Sequence, residues 1–169
     1  IVAAGFHPGI IYTSTNSGDS WTLTCTKHVI WNGLASSADG KTFIAVGTEY
    51  VDTSANSVAV IGGAIYVSTN SGFSWIKCPA PKGGWSCVSA TADGTRFVVG
   101  GSTMQIIGNM TDPVNRVRTS YHGQFCISID SGKTWKAVRG GSSWSSVAAS
   151  ADGTKVVAVS GLGLFFTSS

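Results

Sequence analysis

Charge is scarce in this chain. Of its 169 residues, 11 are Lys or Arg and 8 are Asp or Glu, which leaves a net charge of +3. The charges are scattered without runs, so no clustered positive field of the kind that phosphate backbones require can form, and nucleic acid is not an expected partner. Histidine and cysteine are few, at 3 and 4. Cys25 and His28 have a ligand-like spacing, but a second pair is lacking, so neither a metal nor a cofactor is expected. The longest apolar runs, VAVIGGAIYV and VVAVSGLGLFF, fall well short of the roughly 20 residues of a membrane-spanning helix and contain glycines. They read as strands meeting at a turn, and no membrane insertion is expected.

Apolar residues at 43% and 22 glycines suit short strands joined by tight turns, a balance far from that of disordered chains. Self-similarity organises these strands. STNSGDSW, from Ser14 to Trp21, recurs as STNSGFSW from Ser68 to Trp75 and as SIDSGKTW from Ser128 to Trp135. A second phrase follows each copy: WNGLASSADGKTFIAVG from Trp31, WSCVSATADGTRFVVGG from Trp85 and WSSVAASADGTKVVAVSG from Trp144. The two series account for all six tryptophans. Each Ala-Asp-Gly step lies between apolar stretches and signals a hairpin, because Asp and Gly tolerate the backbone of a tight turn.

The unit is therefore two hairpins, four strands in roughly 40 residues, the size of a propeller blade. The chain is expected to be all-β, a single propeller-type domain or fragment spanning 1–169. It reads as a propeller-like array of four-stranded antiparallel blades with full repeats at about 10–47, 64–101 and 124–161 and partial strands at both ends. Insertions at 48–63 and 102–123 leave the repeat at the same connection and are expected as surface loops on one face. The opening IVAAGFHPGIIYTST matches the closing VVAVSGLGLFFTSS. Two readings of this overlap stay open: a fragment of a longer array, or a protomer whose terminal strands pair with another copy.

The pattern Ser-x-Asp-x-Gly-x-Thr-Trp resembles the Asp-box, or BNR repeat, of sialidases, sortilin-type receptors, xyloglucan-cleaving glucanases and other secreted propellers. SIDSGKTW matches at every position; the other copies carry Asn16 and Asn70 for Asp, and Ser20 and Ser74 for Thr. The resemblance implies that Ser14, Asn16, Gly18, Trp21, Ser68, Asn70, Gly72, Trp75, Ser128, Asp130, Gly132 and Trp135 form structural hairpins remote from any active site. The chemistry agrees: Asn keeps the carbonyl acceptor that the turn needs and discards the charge that an acid, a base or a metal ligand would need. Asp39, Asp93 and Asp152 belong to their own turns in the same way.

Few residues remain for chemistry. Glycoside hydrolysis needs two carboxylates facing each other across the scissile bond. With Asp19 on a turn, only Glu49, Asp52 and Asp112 could supply them, and no spacing rule joins the three. Arg116, Arg118 and nearby Tyr121 meet part of a sialidase-like demand but read more simply as a solvated face, and no Gly-x-Ser-x-Gly elbow occurs. No catalytic residue is assigned, and the protein is not expected to be an enzyme.

Within the insertions Glu49, Tyr50, Asp52, Arg116, Arg118, Tyr121 and His122 are the candidates for binding. Cys78 and Cys87 bracket a short connection and are candidates for a disulfide in an oxidising compartment. Cys25 and Cys126 read as buried thiols, with a bridge between them or to a neighbouring chain left open. Asn109 opens the acceptor triplet NMT and points to a secreted glycoprotein.

The leading expectation is an extracellular or cell-surface structural and recognition module, self-assembling through its terminal strands. Its partners are then other copies or further repeats, glycans, or extracellular proteins. A glycan-binding propeller and a fragment of a carbohydrate-active enzyme are the alternatives.

Overall fold

A computed structural model describes residues 1–5, 9–53, 57–107, 118–140, 143–161, 163 and 165–168, with backbone alone at 51–53, 57–61, 104–107, 118–121, 139 and 165–168. The described residues form β1 (Val2–Ala4), β2 (Ile10–Thr13), β3 (Thr22–Thr26), β4 (Val29–Ser36), β5 (Phe43–Thr53), β6 (Ser57–Ser68) and β7 (Ile76–Lys77). Then follow β8 (Gly84–Ala90), β9 (Phe97–Ile107), β10 (Arg118–Ser128), β11 (Lys136–Arg139), β12 (Trp144–Ala149), β13 (Val156–Ser160) and β14 (Phe165–Ser168). No helix occurs among the described residues.

Each strand pairs antiparallel with its neighbour in sequence, as tight turns dictate. Four sheets result: β1-β2-β3, β4-β5-β6-β7, β8-β9-β10-β11 and β12-β13-β14. They stack in chain order as propeller-like blades, and among the described residues the first and fourth do not meet to close a ring.

The blade frame is displaced by half a unit from the sequence repeat. Residues 10–47 span β2 and β3 of the first sheet and β4 and β5 of the second. One sheet therefore takes the Ala-Asp-Gly hairpin of one repeat and the Asx-Ser-Gly hairpin of the next. The link at 48–63 lies inside the second sheet, and that at 102–123 inside the third.

These links are not loops where they are described. β5 and β6 stay paired from Phe43↔Ser68 out to Thr53↔Ser57, and β9 and β10 from Phe97↔Ser128 to Ile107↔Arg118. Two long hairpin arms thus continue the blades. The run VAVIGGAIYV is correspondingly part of one strand, β6, with a bulge opposite Glu49 and Tyr50 in place of a turn. In the fourth sheet the chain does turn between β13 and β14.

Three apolar layers hold the stack. Ile11, Cys25, Val29, Trp31 and Tyr66 fill the space between the first and second sheets. Ile44, Val46, Ile65, Trp85, Phe97 and Cys126 fill that between the second and third. Cys87, Val98, Phe125, Trp144 and Val147 fill that between the third and fourth. Sheets covered on both faces show continuous apolar runs in place of strict alternation, as in Phe43-Ile44-Ala45-Val46, all buried. Trp31, Trp85 and Trp144 occupy the same place in successive sheets, and burial of one indole is worth about 3–5 kcal/mol against alanine.

The proposed Cys78–Cys87 bridge does not form. Cys78 packs with the layer facing the second sheet, near Val67, Phe97 and Gly132, whereas Cys87 lies in the layer facing the fourth. The body of the third sheet separates the sulfurs, and all four cysteines are free thiols. Burial pushes the Cys78 and Cys126 thiols up to about 11, and raises Cys25 and Cys87 as well.

Candidate functional site

The array has two edges of different chemistry. One carries the turns. In the first Asx-Ser-Gly turn, Ser14 Oγ donates to Asn16 Oδ1 (2.9 Å) and accepts from the Gly18 N–H (2.9 Å), while the Ser20 N–H donates to Asn16 Oδ1 (3.0 Å) and Asn16 Nδ2 to Ser20 Oγ (2.9 Å). Ser68, Asn70, Gly72 and Ser74 repeat every one of these bonds. In the third such turn Asp130 Oδ1 accepts from Ser128 Oγ (2.8 Å) and the Thr134 N–H (2.9 Å), and Asp130 Oδ2 accepts from Thr134 Oγ1. The pairs Asn–Ser and Asp–Thr complete the same turn, one with the amide as donor and the other with the hydroxyl.

Gly18, Gly72 and Gly132 have φ of 100°, 85° and 86°; the preceding Ser17, Ser71 and Ser131 lie at 58°, 59° and 59°. Two consecutive left-handed residues therefore make the bend, and the serine of each pair bears a strain that the sequence does not announce. The first tryptophan series flanks these turns. Trp75 stacks on Phe43 and Trp135 on Phe97, with ring centroids 6.4 Å apart in both cases, whereas Trp21 is exposed.

The Ala-Asp-Gly turns lie on the same edge. Within the second sheet the Ser71 N–H donates to Lys41 O (2.8 Å), and within the third the Ser131 N–H to Thr95 O (2.8 Å). Between sheets, the Ala38 N–H donates to Ala92 O (2.8 Å) and the Ala92 N–H to Ala151 O (2.9 Å). The turns thus form a hydrogen-bonded ladder across the blades.

Their carboxylates are committed to it. Thr91 Oγ1, with the N–H and hydroxyl of Thr95, draws Asp93 down to about 2, and Ser150 Oγ with Thr154 does the same to Asp152. Thr134 draws Asp130 to about 2, and the Lys41 N–H and Ser37 lower Asp39. A group ionised down to that pH holds no proton to give at neutral pH, and its lone pairs are already engaged.

The opposite edge carries the two arms and the links between sheets. Glu49 in β5 is salt-bridged to Lys77 in β7, with side chains 22% and 50% exposed. Burial, and then the Glu49 carboxylate, raise the Tyr66 hydroxyl. Tyr50, expected in an exposed loop, is buried; its ring meets His28 edge-on at 5.7 Å, and its N–H donates to His28 O (2.9 Å). The edge of the first arm is thereby fastened to the link before β4.

His122 is exposed in β10 opposite Thr103. The backbones of Asp52, Arg118 and Tyr121 lie opposite Val58, Ile107 and Met104, and their side chains fall outside the described atoms. Asn109, Asp112 and Arg116 lie outside the described residues. Glu49, Tyr50 and Asp52 belong to one arm and Arg118, Tyr121 and His122 to the other. No group of three or more His, Cys, Asp or Glu side chains suited to a metal occurs among the described residues.

Sequence reasoning missed the polar residues at the strand bulges beside Trp31, Trp85 and Trp144. Asn32 Nδ2 donates to Trp85 O (2.8 Å) and Ser86 Oγ to Trp144 O, so the first two bulges each hand a hydrogen bond to the tryptophan backbone of the next sheet, whereas Ser145 Oγ donates to Val159 O within the fourth sheet (3.1 Å). The residue after each series-two tryptophan (Asn32, Ser86, Ser145) was the available signal.

These features define the class of architecture: an all-β stack of antiparallel propeller-like blades. Among solved structures, the GH74 enzyme of Niastella koreensis is similar at 16% identity and a TM-score of 0.37, the match covering 89% of this chain and 35% of that one. No family profile and no curated protein matches the chain.

Proposed function

We propose that the chain is an extracellular, non-enzymatic recognition module of Asp-box type, in which the blades serve as a rigid stand for two β arms that meet a partner along one edge. The observation that carries this reading is the division between the edges. Carboxylates of the turn edge are consumed by their own turns, while the arms, the Glu49–Lys77 pair and exposed His122 lie on the other. Segments that depart from a repeat on a rigid scaffold are where specific contacts reside. Burial of Tyr50 removes it as a platform for sugar stacking, which favours a protein partner over a glycan.

The test is to display the chain against a panel of extracellular domains and glycans, beside a variant whose arm residues 52–57 are replaced by Asn-Gly. Binding to an extracellular domain that is lost on trimming supports the reading. Binding that survives trimming, or hydrolysis of any glycoside that is lost in Glu49→Gln, overturns it.

A further inference from the structure

One row of the third sheet sets two buried polar side chains on either side of a glycine. Trp85 in β8 and Gln124 in β10 both pair with Gly101 in β9, which gives the row Trp85, Gly101, Gln124. Both side chains leave on the face toward the second sheet: Trp85 packs in that layer with Cys126, and Gln124 Nε2 donates to Cys126 Sγ (3.8 Å). Trp85 is 0% exposed and Gln124 4%. Among the described residues Trp85 Nε1 has no hydrogen-bond partner, and the Gln124 carboxamide is loosely held, Nε2 donating to Lys82 O at 3.4 Å. A buried donor without an acceptor is rare in folded proteins and calls for one.

The second sheet shows what the third has exchanged. Its equivalent row is Trp31, Gly47 and Ala64, and Tyr66 lies beside the indole, the two rings meeting edge-on with centroids 5.5 Å apart. Trp31 Nε1 also lacks a partner, but it shares its row only with glycine and alanine. In the third sheet Gln124 stands at the place of Ala64 and Cys126 at that of Tyr66, so a carboxamide and a thiol replace a methyl group and a phenol ring. Gln with Cys is smaller than Ala with Tyr by the order of one water molecule, about 30 Å³ of liquid volume. The N–H edge of the Trp85 indole faces the link before β8 and the foot of the first arm. A Cβ on Gly63 would lie 2.6 Å from Trp85 Cδ1, and one on Gly83 3.3 Å from Cε2, the two carbons bonded to Nε1. Lys82, next to Gly83 in that link, meets Gln124.

We infer that Trp85 Nε1, the Gln124 carboxamide and Lys82 O form a binding site for one internal water molecule in the seam between the second and third sheets. The water accepts from the Trp85 Nε1–H and donates to Gln124 Oε1 and Lys82 O, and three polar partners are what a buried water typically has. Gly63 and Gly101 lie where the two arms leave their blades, so the water joins the feet of both arms at one point. Its site is set by the blades and is independent of what the arms bind.

Magnetisation transfer from water to the indole protons of the ¹⁵N-labelled chain, recorded in the laboratory and rotating frames, tests it. The expected result is dipolar transfer to Trp85 Hε1 with the sign of a long-lived bound water, distinguished from chemical exchange by its opposite sign in the rotating frame. Trp144 is the internal control: it is equally buried, and its Nε1 already donates to Gly140 O (3.2 Å), so it should show none. Gln124→Leu keeps the bulk of the side chain and removes its polar atoms, and it should abolish the transfer at Trp85. Absence of transfer at Trp85 Hε1 in the unaltered protein overturns the inference. So does transfer of equal strength at Trp144, or transfer at Trp85 that persists undiminished in Gln124→Leu. Circular dichroism establishes that the variant keeps the β fold; if it does not, the comparison of Trp85 with Trp144 in the unaltered protein decides.

Discussion

Ser128 shows how much one small side chain supports. Its buried hydroxyl donates to Asp130 and accepts from the Gly132 N–H, itself buried at the boundary with the second sheet. Ser128→Ala leaves that N–H without its acceptor and is expected to cost about 1–3 kcal/mol in urea unfolding. Asp130→Asn, which installs the residue already present at positions 16 and 70, is expected to change stability far less. The turn carboxylates also set a pH limit. Asp93, Asp130 and Asp152 sit at about 2 when folded, below the ordinary 3.8 that they regain on unfolding. Their stabilisation is therefore complete above pH 4 and is lost as the pH falls from there through 2. Melting temperature followed against pH should drop in that window, and less so in a triple Asn variant. The thiols give a third expectation: held protonated, with Cys25, Cys87 and Cys126 buried and Cys78 half-buried, they should resist alkylation at pH 8 in the native protein, with all four reacting in denaturant and none found in a disulfide.

At the scale of the element, close backbone approach governs what each strand tolerates. A Cβ on Gly63 would lie 1.8 Å from Gly83 O, and one on Gly101 2.0 Å from Gly84 O. Both glycines sit where an arm leaves its blade. Gly101→Ala is expected to displace the β8 backbone at a cost above about 2 kcal/mol and to broaden the amide resonances of the second arm. The strands themselves were largely legible in the sequence, since the Asx-Ser-Gly and Ala-Asp-Gly turns mark where β2 and β3, β4 and β5, β6 and β7, and β8 and β9 meet. The arms were not. Gly62-Gly63 reads locally as a turn, but both glycines pair with β5, opposite Glu49 and Thr48, and the strand runs on past a bulge next to Gly62. A repeat is cyclic, so the sequence did not say where one sheet stops and the next starts; that depends on which hairpins share a hydrogen-bonded sheet.

For the whole molecule, the nearest-neighbour stack makes stability a matter of position. Among the described residues the second and third sheets are covered on both faces and the first and fourth on one, so protection should be graded. Amide exchange is expected to be slowest in β5, β9 and the adjoining parts of β6 and β10, and faster in β1–β3 and β12–β14. Trp144→Ala, which opens the layer between the third and fourth sheets, should raise exchange in β12–β14 selectively while leaving β4–β7 close to the unaltered protein.

What the residues determined unaided is local and periodic: strands, turns, an all-β class and blade-sized repeats, because hydrophobic alternation and turn chemistry act over a few residues at a time. The candidate site was legible only as a list of residues that the repeat does not need. Tertiary structure alone decided that Tyr50 is buried against His28, that Glu49 is tied to Lys77, and that Cys78 and Cys87 face different layers. Each of those facts depends on which face of a sheet a side chain leaves by and which sheet lies across from it, and no short-range pattern encodes that.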